Sequence, residues 1–95
     1  MKTFKELNPI DFGLNSRVKI VDISKNSIGI LKMRKSRIIM KDGAQILEIA
    51  DQIKSVKKDV DISLIISGPI CSKTTKYLND NKIKIIDFNS YFPNN

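Results

Sequence analysis

Val60 to Phe88 reads VDISLIISGPICSKTTKYLNDNKIKIIDF, and this stretch decides the fold. Ile62, Leu64, Ile65 and Ile66 place apolar side chains on both alternating faces. That is the pattern of a strand covered on two sides, as in parallel sheets. Gly68-Pro69 stops the run, because proline donates nothing to a ladder and glycine permits a sharp corner. Ser72 fits a helix N-cap, its hydroxyl placed to accept from the Thr74 or Thr75 N–H. Tyr77 and Leu78, with Thr74 one turn earlier, give the short helix an inward face. Asn81 suits a left-handed C-terminal cap, and Ile83, Ile85 and Ile86 open the next strand. Strand, helix and strand at this spacing predict a parallel pair joined by a right-handed crossover.

Ligands of such units sit beyond the carboxyl ends of the strands, near a helix N-terminus. Here that place is lined by Ser67, Gly68, Cys71, Ser72, Lys73, Thr74 and Asp87, with Thr75 beside them. The segment Gly68 to Thr74 falls short of a nucleoside-triphosphate loop. The G-x-x-x-x-G-K-[ST] pattern needs one more residue, and serine stands where its second glycine belongs. A simpler anion site survives: helix-start N–H groups, the hydroxyls of Ser72, Thr74 and Thr75, and the Lys73 ammonium. The competing reading is a plain cap at Ser72 with a solvated lysine.

Cys71 lies just before the helix start, where the dipole favours a thiolate. Metal ligand, redox thiol, nucleophile and simple packing residue are all open to it. The chain has no histidine, so a Cys-His pair is absent, and one cysteine cannot build a tetrahedral zinc site in one chain. Two chains could share a cluster across a homodimer, with one thiolate each. Asp59 and Asp61 shape a turn. Asp22 and Asp87 end apolar runs and could approach each other. Neither pair has the surroundings of general acid–base work, so a non-catalytic protein is expected, with no metal centre of its own.

Upstream, Asp42-Gly43-Ala44-Gln45 opens a helix in which Asp42 caps and Gln45 reaches back. Ile46, Ile49, Ala50 and Ile53 follow with 3.6-residue periodicity, and Leu47 and Val56 widen the stripe. Lys54, Lys57 and Lys58 sit where the helix dipole favours cations. Before this helix comes the densest basic run, Lys32, Arg34, Lys35, Arg37 and Lys41. It predicts a turn at 34–36 and a strand through Met40. A basic hairpin tip there could track a phosphate backbone, although no aromatic residue is interleaved for base stacking. Lysines also guard sheet edges against aggregation. Arg17 to Ile23 and Ile28 to Met33 predict a hairpin through the turn 24–27, with Gly29 as a bulge. In the arm 1–16, Thr3 to Glu6 has capping-box spacing, and Ile10, Phe12 and Leu14 are expected to pack as an extended segment. Tyr91 and Phe92, in the tail 89–95, would anchor it or contact a partner protein.

Ninety-five residues suit one domain. The apolar runs fall far short of the ~20 residues of a membrane span. MKTFKELNPIDF has no apolar signal core, and the single cysteine fits a reducing compartment. A cytoplasmic location is therefore expected. The net charge of +7 points to polyanions. Yet lysine supplies 14 of the 17 basic side chains, and nucleic-acid readers draw more on arginine.

Several segments resemble the dinitrogenase iron-molybdenum cofactor biosynthesis family: RVKIVDISKNSIGILKM, its hairpin; ILEIADQI, its first helix; and LIISGPI followed by YLNDNKIKII. Gly68, Ile70, Leu78, Ile83 and Lys84 match in type and spacing. The chain departs from that family in reducing the glycine-rich helix entry to Gly43 and in carrying the basic insertion. The resemblance implies an RNase H-like α/β fold that carries a metal-cluster cofactor. The residues themselves predict one α/β domain of order β-β-β-α-β-α-β, a mixed sheet with packed helices. It would bind a small anion or anionic cofactor at 68–75, with nucleic acid at the basic run or a protein partner as alternatives.

Overall fold

A computed structural model describes residues 5–24 and 26–88. A five-stranded mixed sheet runs in the spatial order β1-β2-β3-β4-β5. The strands are β1 (Lys5–Leu7), β2 (Ile20–Ser24), β3 (Ser27–Lys32), β4 (Asp61–Ile66) and β5 (Lys84–Asp87). Helix α1 (Met40–Val56) joins β3 to β4, and α2 (Ser72–Asp80) joins β4 to β5. β1, β2 and β3 pair antiparallel; β3, β4 and β5 pair parallel. The element order is the one expected, and the organising unit around β4 is parallel as predicted.

Alternation decides which face each strand residue serves. Ile20, Ile28, Ile30, Ile62, Leu64 and Ile66 share one buried cluster with Ile46, Ala50 and Ile53 of α1 and Leu78 of α2. Both helices therefore pack on one face. The opposite face of the central strands is also closed, since Val21, Gly29, Ser63 and Ile65 are buried. Five of the six β4 residues are buried, which is what apolar side chains on both faces require. Removing so much apolar surface from water is the main favourable term of the fold.

Three local expectations are corrected. The strand foreseen at Arg37 to Met40 does not form. Ile38 alone enters the core, 1% exposed, through an isolated parallel bridge to Ile70. Ile39 and Met40 stay 48% and 40% exposed, and Met40 begins α1. The third strand is instead β1, a short edge drawn from Lys5 to Leu7 in the arm where the capping-box spacing of Thr3 to Glu6 pointed to a helical start; Thr3 and Phe4 lie outside the described residues. The extended packing of Ile10, Phe12 and Leu14 gives way to a 3-10 turn, Pro9–Phe12. Its start follows from chemistry: Asn8 Oδ1 accepts from the Ile10 N–H at 3.0 Å, and proline occupies the first position, where no donor is needed.

Gly29 is not a bulge. It sits in register opposite Val21 and Ser63, while the irregularity falls between Asp22 and Ser24. A Cβ at Gly29 would lie 2.6 Å from Ile65 Cδ1 and 2.9 Å from Ile23 Cδ1. Glycine is there so that those two side chains can cross the strand. Asn81 is not left-handed either; its φ is −101°, and Lys82, with φ 65°, makes the reversal. Asn81 contributes through its side chain, donating to the Tyr77 carbonyl at 2.8 Å.

Candidate functional site

The predicted notch lies past the carboxyl ends of β3, β4 and β5, where Lys32, Ile66 and Asp87 stand in one register row. Two loops meet beyond that row. The β3–α1 loop, 33–39, is folded against the β4–α2 loop, 67–71. The Ile38 N–H donates to the Pro69 carbonyl at 3.0 Å, and the Cys71 N–H donates to the Ile38 carbonyl at 2.9 Å. Gly68 makes the contact possible, since a Cβ there would sit 2.3 Å from the Arg34 carbonyl oxygen. The two regions that the sequence offered as rival sites are thus neighbours.

The basic loop is pinned from the helix side. Asp42 is the third residue of α1, and its Oδ2 accepts from the Ile39 N–H at 3.0 Å. That bond sets the N-cap at Ile39, three residues before the expected cap at Asp42. Arg34 donates to the same carboxylate oxygen and to the Arg37 carbonyl, the latter at 3.3 Å. The Ile39 amide first, then the Arg34 guanidinium, hold the Asp42 carboxyl below its ordinary pKa of 3.8, against the opposing effect of burial. Arg34 is therefore a strut, which removes it from the candidate ligand contacts. Lys35, Arg37, Lys41 and Lys73 are exposed, and Lys32 is half-buried.

At the start of α2 the N-cap is Cys71 rather than Ser72, which becomes the first helical residue. Ser67, Ser72 and Lys73 face solvent, and Cys71 and Thr75 are half-exposed. The Thr75 hydroxyl donates to the Cys71 carbonyl at 3.2 Å and the Thr75 N–H donates to it at 2.9 Å. The Lys73 and Thr74 amides act on the Cys71 sulfur without closing a capping hydrogen bond. They are the leading causes that hold its thiol below the usual 9.0, with the Thr74 hydroxyl and the Arg37 charge adding to them. Thr74 is fully buried, and its Oγ1 has no hydrogen-bond partner.

The expected residues are not all alike once placed. Cys71, Ser72, Lys73 and Thr74 share one helix start, with Ser67 and Gly68 on the entering strand side. Gly68 is half-buried and shapes the site by admitting Arg34. Asp87 ends β5, at the edge of the notch. Asp22 and Asp87 do not meet, because they lie on β2 and β5 with two strands between them. Sequence reasoning missed the joining of the Arg37 loop to Cys71, because Ile38, which makes the contact, reads in the sequence only as the first of three apolar residues. It also gave no role to a cavity of about 260 Å³ at the opposite end of the sheet, lined by Ser27, Asp61, Ile62, Ser63, Lys82 and Lys84.

A metal cluster carried as cargo, which the family resemblance implies, would find one thiol per chain and no histidine. No three potential ligands gather among the described residues. These residues do not build such a centre within one chain. Among the described residues, no helix is long and apolar enough to cross a membrane. Tyr91 and Phe92, offered for a protein contact, lie outside the described residues. In the comparisons with known proteins, no family model, no curated protein and no solved structure matches this chain.

Proposed function

We propose that the chain is a non-catalytic binding module for a small anion, a phosphate or carboxylate group borne by a metabolite or cofactor. The observation that carries this reading is the Ile38–Ile70 bridge. It sets the exposed cations Lys35 and Arg37 beside the start of α2, where Ser72 and Lys73 are exposed as well. Cations of the β3–α1 loop and of the first turn of α2, a hydroxyl and the positive end of a helix dipole then converge on one place. Arg37 supplies a fork suited to paired oxygens, and Lys73 supplies a point charge.

Nucleic acid is the weaker reading on geometric grounds. An extended basic hairpin would lay cations in a row, but the observed loop is folded back on 67–71. Arg34 is committed to Asp42, and Lys41 belongs to the first turn of α1.

Titration with inorganic phosphate and with a dicarboxylate, followed by amide chemical shifts, tests the site. The expected result is a saturable shift at residues 35–38 and 71–74. The double variant Arg37→Ala with Lys73→Ala is expected to weaken binding roughly tenfold, or about 1.4 kcal/mol. No shift at these residues with either anion would remove the proposal. Binding of a single-stranded oligonucleotide that falls steeply with salt would favour the nucleic-acid reading instead.

A further inference from the structure

The end of the sheet far from the notch holds a polar side chain that the fold does not explain. β4 buries Ile62, Leu64, Ile65 and Ile66, yet Ser63 stands among them at 5% exposure. It lies on the face opposite the two helices, because it alternates with Ile62 and Leu64 of the core cluster. Its neighbours in register are Gly29, which has no side chain, and Lys84. Two residues nearer the amino ends of β3 and β4, Ser27 stands opposite Asp61. Partners in register share a face, as do residues two apart along a strand. Ser27, Asp61, Ser63 and Lys84 therefore form one polar square. Lys82 makes the reversal just before β5, with φ 65°.

These five residues and Ile62 line the cavity of about 260 Å³. Among the described residues, none of the five polar side chains has a hydrogen bond or an ion pair. Burying a polar group without a partner is costly, and Ser63 opens onto this cavity. Ligand pockets are ordinarily lined mainly by apolar groups. Here Ile62 is the single apolar lining residue, so the matching occupant is polar throughout. Its charges follow from the walls. A simple anion meets repulsion from Asp61, and a simple cation meets it from two lysines. A molecule bearing both signs satisfies all three, and two lysines against one aspartate favour an excess of negative charge. The volume equals that of about nine waters, which suits a ligand with about that number of non-hydrogen atoms. The strand–helix topology does not call for a site here, since open α/β sheets bind ligands at the other end of their strands.

We propose that this cavity is a second binding site, for a small acidic α-amino acid. Its two carboxylates meet Lys82 and Lys84, its ammonium meets Asp61, and the Ser63 hydroxyl donates to a carboxylate oxygen. Ser27 closes the side next to Asp61. The site goes beyond the anion reading and shares no residue with it, so either can fail alone.

The test titrates the full-length protein with L-aspartate, succinate and L-alanine and follows amide shifts at residues 27, 61–63 and 82–84. Aspartate should give saturable shifts there. Succinate keeps both carboxylates and lacks the ammonium; alanine keeps the ammonium and one carboxylate. Each is expected to bind about fivefold more weakly than aspartate, the upper range for a solvent-accessible ion pair. This comparison is made on wild type and needs no variant. Asp61→Asn should abolish the preference for aspartate over succinate while leaving phosphate-induced shifts at 35–38 and 71–74 as in wild type. Ser63→Ala adds no volume and removes only the hydroxyl. It is expected to weaken aspartate binding several-fold without lowering the urea midpoint. Aspartate without effect at these residues would leave solvent as the occupant and overturn the proposal. Succinate or alanine binding as tightly as aspartate, an Asp61→Asn protein that keeps the preference, or a Ser63→Ala protein that binds like wild type would each overturn it as well.

Discussion

Gly68→Ala is expected to destabilise the fold by about 2 kcal/mol, within the range for forcing a methyl group into a packed site. The magnitude rests on what the new methyl would meet. At Gly29 the obstacles are the methyl tips of Ile65 and Ile23, which can rotate aside. At Gly13 the left-handed backbone, φ 73°, would itself strain a substitution, and the side-chain obstacle is the Gln52 amide, which can move. At Gly68 it is the Arg34 carbonyl oxygen at 2.3 Å, with the Lys35 Cα at 3.5 Å. Backbone cannot swing away alone; the whole β3–α1 loop must retreat. Its retreat would strain both hydrogen bonds between Ile38 and the β4–α2 loop. Urea unfolding should show a lower midpoint with little change in slope. The same variant should lose phosphate-induced shifts at Arg37 while keeping those of Ser72 and Lys73. An alanine variant as stable as wild type would mean that the two loops are not docked in solution.

What was legible in the sequence was the unit whose signals agree with one another. The run Ile62 to Ile66, the Gly68-Pro69 corner and the Tyr77-Leu78 stripe each specify the same strand–helix–strand path, so tertiary packing had nothing to override. The first helix was legible for the same reason, apart from its first residues. Its start was misplaced because Asp42 can cap in two ways. As an N-cap it would begin the helix at Gly43; as the third helical residue it accepts from Ile39 and begins the helix at Met40. The second arrangement is the one observed: it gives the Ile39 N–H an acceptor and starts the helix three residues earlier than the first would.

The apolar triplet Ile38 to Met40 looked like a strand because three large side chains in a row seem to need a sheet. Only Ile38 finds the core, and the other two remain on the surface at the entry to α1. β1 was invisible because Lys5-Glu6-Leu7 carries no strand pattern and is held as an edge by pairing with β2. The candidate site was half legible. Its residues at 67–75 follow from the strand–helix corner, but the arrival of the Arg37 loop beside Cys71 depends on a single long-range bridge, and one-dimensional spacing does not encode that. The orphan hydroxyl of Thr74 is likewise a property of packing, since the sequence shows it only as part of an inward face.

Asp42 is the residue through which this loop geometry should respond to acid. Asp42→Ala removes the acceptor of the Ile39 N–H and the partner of Arg34 together. The expected cost is about 1–2 kcal/mol, the usual effect of losing a helix-start carboxylate or cap. The Arg34 contact adds little to this, because its side chain is more than a third exposed and solvent screens the pair. The pH dependence has a definite sign. The folded carboxyl titrates below 3.8, chiefly because the Ile39 amide favours its charged form. Its contribution is therefore complete above the unfolded value, and it fades as pH falls through the lowered folded value. Wild type should exceed Asp42→Ala by a constant margin from pH 5 to 7, and the margin should shrink below about pH 4. Asp42→Asn separates the two roles: its amide oxygen can still accept from Ile39, yet it offers Arg34 no charge. It should recover most of the neutral-pH margin and lose the acid dependence. If Asp42→Asn were as unstable as Asp42→Ala, the ion pair rather than the amide bond would be holding the loop. Thermal unfolding of the three proteins across that pH range reads both outcomes in one experiment.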